Sequence, residues 1–137
     1  YIGCLVEAWC LERGVEFTPY GSWTLKNKSE QPGAEADECY VFGREPKRKR
    51  RPDLAIEVIW TSGGIDKLDV YRKLGVREVW YWEDARIGVH VLRGAQYEAA
   101  PASEVLPGID LEQLASFLDR PSASQASRDY LSTLRSK

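Results

Sequence analysis

Glu57 sits inside the run Leu54-Ala55-Ile56-Glu57-Val58-Ile59-Trp60, an ionisable carboxylate within a stretch that has the composition of a fully buried β-strand. Carboxylates are rare in such places unless a partner compensates the charge. Twenty residues upstream, Asp37 opens a second apolar stretch, Cys39-Tyr40-Val41-Phe42, and ten residues downstream Lys67 falls on a segment with helical periodicity. Two acids and a lysine delivered by neighbouring elements can build a metal-dependent site that cleaves phosphodiester bonds.

Strand geometry selects among the acids. Asp53 lies four residues before Glu57, so the two would share a face of one strand but stand about 13 Å apart at roughly 3.3 Å per residue. That gap is too wide for one magnesium ion, whose ligand bonds are about 2.0 to 2.1 Å. Adjacent strands are only about 4.8 Å apart, so Asp37 on a neighbouring strand can converge with Glu57. Asp37 with Glu57 is therefore the first choice, and Glu35 and Asp53 are the second. On a helical wheel at about 100° per residue, Lys67 falls between Leu74 and Tyr71 in the arc that faces the sheet, as does Arg72, whereas Lys73 falls outside it. The competing readings are structural: Glu57 in a buried ion pair with Lys67, and Lys67 snorkelling to solvent from its helix.

Other chemistry finds less support. His90 is the only histidine and alternates against Val89 and Val91, which points it toward solvent and leaves serine or cysteine triads without a good base. Ser62-Gly63-Gly64 precedes a helix but lacks the lysine and spacing of a nucleotide-binding loop, and no organic cofactor is expected. Trp80 and Trp82 share one strand face and read as core or dimer interface.

A chain of 137 residues, 43% hydrophobic and 11% aromatic, suits one compact domain with a sizeable core. It starts at Tyr1 and has no methionine, so the native start is expected upstream. Cys4, Cys10 and Cys39 make no C-x-x-C pair, which argues against a disulfide framework or structural zinc and for a reducing, cytoplasmic setting. No apolar run reaches the roughly 18 residues of a membrane span. The net charge is only −2, yet residues 44–51 carry +5 and the remainder −7. A block of this sign, Lys47, Arg48, Lys49, Arg50 and Arg51 at its centre, is an electrostatic footprint for phosphate; a solvated loop is the plain alternative.

The elements follow from periodicity. Ile2, Leu5, Val6 and Trp9 mark a first helix that stops at Gly14. Residues 15–19 and 21–27 read as a hairpin about Pro19-Tyr20-Gly21, followed by strands over 38–42 and 54–60. Apolar residues on both faces of 54–60 require cover on both sides. A helix running to Leu74, with Ile65, Leu68, Tyr71 and Leu74 buried and Gly75 as terminator, crosses over to a strand at 78–83 as a right-handed βαβ unit. A hairpin through Asp84-Ala85-Arg86 leads to 88–92, a further strand spans 96–99, Asp110 caps a helix to about Leu118, and Ser122 starts the last one. The result is an α/β fold, a mixed β-sheet flanked by helices.

Four stretches carry a wider likeness: Gly33-Ala34-Glu35-Ala36-Asp37, Arg51-Pro52-Asp53-Leu54-Ala55-Ile56-Glu57-Val58, Thr61-Ser62-Gly63-Gly64-Ile65-Asp66-Lys67 with Tyr71, and Gly75-Val76-Arg77-Glu78-Val79-Trp80. Together they closely resemble the Uma-two family, a branch of the restriction-endonuclease-like, PD-(D/E)xK nuclease superfamily. The resemblance implies a restriction-endonuclease-like domain over residues 1–120 with core order α-β-β-β-α-β; residues 121–137, with Tyr130, Leu131 and Leu134 on their helix, read as a helical extension of the same domain. It implies Asp37 and Glu57 as metal-binding acids and Lys67 as a catalytic lysine moved from the strand to the following helix. The main-chain carbonyl of Val58 would complete a magnesium or manganese site. DNA would be the substrate and a homodimer the assembly. Two positions depart from the pattern: Ala36 replaces a usual proline, and Ile59 stands where the superfamily usually has lysine, which puts the whole basic role on Lys67.

Overall fold

The computed structural model describes residues 2–19, 38–45, 51–58 and 67–136, with Lys67 and Val70 described by backbone alone. Its elements in chain order are α1 (Ile2–Arg13), β1 (Phe17–Pro19), β2 (Glu38–Phe42), β3 (Leu54–Val58), α2 (Lys67–Leu74), β4 (Glu78–Glu83), β5 (Arg86–Arg93), β6 (Gln96–Ala100), α3 (Leu111–Ala115) and α4 (Ala123–Arg135). From α1 to β4 this is the expected α-β-β-β-α-β order.

Among the described residues the strands form one mixed sheet in the order β1-β2-β3-β4-β5-β6. Every neighbouring pair is antiparallel except β3 and β4, which run parallel with Glu57 opposite Tyr81 and Val58 opposite Trp82. A parallel pair needs a crossover, and α2 supplies it. Gly75 ends α2 at φ +75°, a backbone conformation that favours glycine. The expected hairpin partner of β1, residues 21–27, lies outside the described residues; the partner observed is β2.

Alternation divides the side chains between two faces. The first face carries Tyr40, Leu54, Ile56, Trp80, Val89 and Val91, packed against α1, α3 and α4 in the main core. Trp80 is fully buried there and Trp82 packs half-buried beside it, so both serve the core. The hydroxyl of Tyr40 reaches the Glu7 carboxylate of α1 at 2.7 Å and thereby ties that helix to β2. The second face carries Cys39, Ala55 and Val79 under Tyr71, Leu68 and Leu74 of α2. Tyr71 is buried and Leu68 and Leu74 half-buried, as their spacing predicts, while Ile65 lies outside the described residues.

The β4–β5 hairpin turns through Asp84 (φ 53°) and Ala85 (φ 60°), two consecutive left-handed residues that suit the twist of the flanking strands. Asp110 caps α3 by accepting from the Gln113 N–H at 3.0 Å. That helix stops at Ala115 rather than about Leu118, and turn structure takes the chain on. Ser122 caps α4 in the same way, with the Gln125 N–H at 3.1 Å.

Candidate active site

Glu57 is the fourth residue of β3 and 5% exposed, so the sequence anomaly is a real burial. Its neighbours on the ladder, Ile56 and Val58, point to the first face; Glu57 points to the second, under the crossover helix. There the fully buried Tyr71 donates its hydroxyl hydrogen to Oε2 of Glu57 at 2.5 Å. A phenol donating to a carboxylate makes a short, charge-assisted bond that fixes the carboxylate orientation. Burial, and next the bond to Glu57, push the Tyr71 hydroxyl far above the usual phenol range, so it acts only as a donor.

Cys39 is buried in the same cluster. Its thiol is pushed up to about 12 by burial, with the charges of Glu57 and then Glu38 adding to the effect. That shift works against a nucleophilic thiolate at neutral pH, and Cys39 packs in the wall of this cluster. All three cysteines are free, as their spacing predicts.

Lys67 is the first residue of α2, one helical turn before Tyr71; its side chain lies outside the described residues. So do Asp37, Glu35 and Lys47, Arg48, Lys49 and Arg50 of the basic block. Val58 ends β3 half-buried, beside Glu57. Asp53 stands at the other end of β3, where it fastens neighbouring strands together. Its Oδ2 accepts from the Phe42 N–H at 2.8 Å, its own N–H donates to the Tyr40 carbonyl and its carbonyl accepts from the Glu78 N–H. Arg51 is exposed, with its guanidinium lying over the end of α2, where a Cβ built on Gly75 would collide with its Nη1.

Sequence reasoning missed a second buried carboxylate. Glu78, at the start of β4, is 0% exposed. Its Oε2 accepts from Trp80 Nε1 at 2.6 Å and Ser103 Oγ at 2.5 Å, and its Oε1 from the N–H groups of Glu104 at 2.8 Å and Val105 at 3.2 Å. Four neutral donors satisfy the charge and pin the 103–106 segment to the sheet. The available signal was parity, since Glu78 shares the face of Trp80 and Trp82. His90 also differs from expectation. It is half-buried, edge to face with Tyr81 at 5.4 Å between ring centroids, and desolvation lowers its pKa.

No group of three or more histidine, cysteine or acidic side chains with metal-ligand geometry occurs among the described residues. The Glu57 carboxylate is an oxygen donor of the hard type that magnesium and manganese select. Among the described residues, no helix is long and apolar enough to cross a membrane.

Searches of curated proteins and of solved structures find no match to this chain. The model of the Uma2 family, described as "Putative restriction endonuclease", matches residues 1–119, from the first helix past the end of α3. A match over that span, with the observed mixed sheet and its crossover helix, places the chain in the Uma2 family.

Proposed function

We propose that the protein is a magnesium- or manganese-dependent endonuclease that hydrolyses DNA phosphodiester bonds. The observation that carries this reading is the buried Glu57 carboxylate, oriented by Tyr71 from the crossover helix that Lys67 begins. Membership of a family described as restriction endonucleases supports it. In sequence Asp37 directly precedes Glu38, and Glu38 is the register partner of Ile56, the residue before Glu57.

In this reading Asp37, Glu57 and the main-chain carbonyl of Val58 would hold the ion, with Glu35 next in line, while Asp53 is committed to the Phe42 N–H at the other end of β3. When bound, the ion supplies charge neutralisation at the phosphate and acidity for the attacking water. Tyr71 keeps the Glu57 carboxylate in one orientation throughout. Lys67 orients the nucleophile or stabilises the charge that grows on the phosphate oxygens. Water oxygen bonds to phosphorus, the bond from phosphorus to the leaving sugar oxygen breaks, and that oxygen takes up a proton. Lys47, Arg48, Lys49, Arg50 and Arg51 grip the backbone by charge, which gives affinity without sequence choice. A cytoplasmic homodimer would present two such sites to two strands.

A second reading is a catalytically silent nuclease-fold module that binds nucleic acid or a protein partner. Ile59, in place of the superfamily's usual lysine, favours it. Supercoiled plasmid separates the two. Nicking that needs magnesium or manganese and stops on chelation is the expected result; salt-sensitive binding without nicking in either metal supports the silent module.

A further inference from the structure

Arg51, the last arginine of the basic block, has a definite place in the fold. Its guanidinium and Cδ lie against Gly75, the residue that ends α2 at φ +75°. The Glu78 N–H donates to the Asp53 carbonyl at 3.1 Å, which brings the start of β4 beside the residues that follow Arg51. Arg72 and Lys73 stand in the last turn of α2, and Arg77 comes two residues after Gly75. Four bases from three segments therefore gather at one end of the crossover unit.

Their charge exceeds what the fold uses there. Asp69 answers Arg72 at 2.6 Å and Lys73 at 3.2 Å, one carboxylate for two bases. The C-terminal end of a helix offers about half a negative charge more. Neighbouring acids are engaged elsewhere: Asp53 accepts from the Phe42 N–H on β2, Glu104 from Arg93, and Glu78 is buried under its own donors. Roughly two and a half positive charges are thus in surplus on this surface, where Arg51 and Arg77 are exposed. A guanidinium presents a planar fork of donors that matches phosphate oxygens.

Two lengths place this surface relative to Glu57. From Asp53 to Glu57 the chain runs four residues of extended backbone, about 13 Å. The eight residues of α2, which begins at Lys67, rise about 12 Å in the return direction. The basic end therefore stands about one helix length from the carboxylate and from the lysine-bearing turn. B-form DNA rises about 3.4 Å per nucleotide, so the separation corresponds to roughly four nucleotides.

We propose that Arg51 and Arg77, backed by Arg72 and Lys73, clamp a DNA backbone phosphate roughly four nucleotides from the one presented to Glu57. The offset rests on the nuclease reading and adds to it a second point of grip, so the substrate must extend past the cut on one side. Lys47, Arg48, Lys49 and Arg50 directly precede Arg51 in the chain, and this continuation of charge suits a polyanion rather than a single small anion.

The test titrates the full chain with a short fluorescein-labelled duplex, in chelator so that nothing is cut, and follows anisotropy over a series of salt concentrations. Each phosphate contact contributes about 0.9 to the slope of log affinity against log salt. Arg51→Gln and Arg77→Gln are each expected to lower that slope by about 0.9, and the double variant by about twice as much. Arg128→Gln makes the same loss of charge on α4, over the opposite face of the sheet, and is expected to keep the parental slope. Parental slopes in the clamp variants, or an equal fall with Arg128→Gln, overturn the clamp and leave the nuclease reading intact. The offset is read in magnesium on end-labelled duplexes. The wild-type chain is expected to leave roughly four nucleotides uncut at one end, and the double variant to cut into that margin. Wild-type cutting up to the last phosphate at both ends overturns the offset. The expected slopes without any cutting uphold the contact and overturn the nuclease reading; no binding by the wild type overturns both.

Discussion

At the scale of single residues, two buried glutamates have different fates. Glu78 is saturated by four neutral donors and serves as a clamp, whereas Glu57 is held by a tyrosine from the crossover helix beside the lysine-bearing turn. Burial of a carboxylate is therefore no proof of catalysis; its surroundings carry the distinction. Two tyrosines make the same point by contrast. Tyr71→Phe removes a donor from a buried charge and is expected to cost about 1 to 3 kcal/mol in urea unfolding, and to slow cleavage roughly tenfold as the carboxylate loses its fixed orientation. Tyr130 is fully buried and its hydroxyl has no hydrogen-bond partner among the described residues, so Tyr130→Phe is expected to raise stability by up to about 1 kcal/mol. Equal effects of the two changes would contradict this assignment. Glu57 was legible in the sequence because one charge interrupts a run of apolar residues. Glu78 was not, because it follows Arg77 at a strand start and three of its four donors come from residues 103–105, with no local pattern linking them.

Elements were legible wherever periodicity and punctuation agreed. α1 ends at Gly14, α2 at Gly75, and the βαβ unit joins β3 to β4 in parallel, all as the spacing of apolar residues predicts. What local pattern cannot supply is a distant partner. β1 pairs with β2, a strand some twenty residues further on, and residues 21–27, the segment adjacency offers it, lie outside the described residues. α3 shows a second limit: a good cap starts a helix, but tertiary packing decides where it stops. The segment that follows β6 is anchored by Glu78 through Ser103, Glu104 and Val105. Glu78→Ala leaves an indole N–H, a hydroxyl and two main-chain N–H groups without their acceptor. It is expected to cost about 3 to 5 kcal/mol, with early hydrogen exchange at Glu104 and Val105. Retained exchange protection at those amides would show that the clamp is dispensable.

For the whole molecule, the last helix belongs to the core although the family match ends at residue 119. Ala126, Tyr130 and Leu134 of α4 lie in the main cluster, and Arg135 pairs with Glu12 of α1 at 2.7 Å. Removing residues 121–137 should uncover α1 and cost roughly 5 kcal/mol or more of apolar burial, read as a large drop in melting temperature; an unchanged melting curve would separate the helix from the domain. Charge is divided on the same scale, with +5 concentrated in residues 44–51 of a chain that is otherwise acidic. Composition alone exposed that division. The central claim is that the Glu57 carboxylate is chemically required, and its most direct test is plasmid nicking in magnesium by the wild-type chain beside Glu57→Gln. The amide keeps an acceptor for Tyr71, so the variant should fold and melt near wild type while nicking falls at least about a hundredfold. Equal nicking by the two folded proteins would contradict the claim.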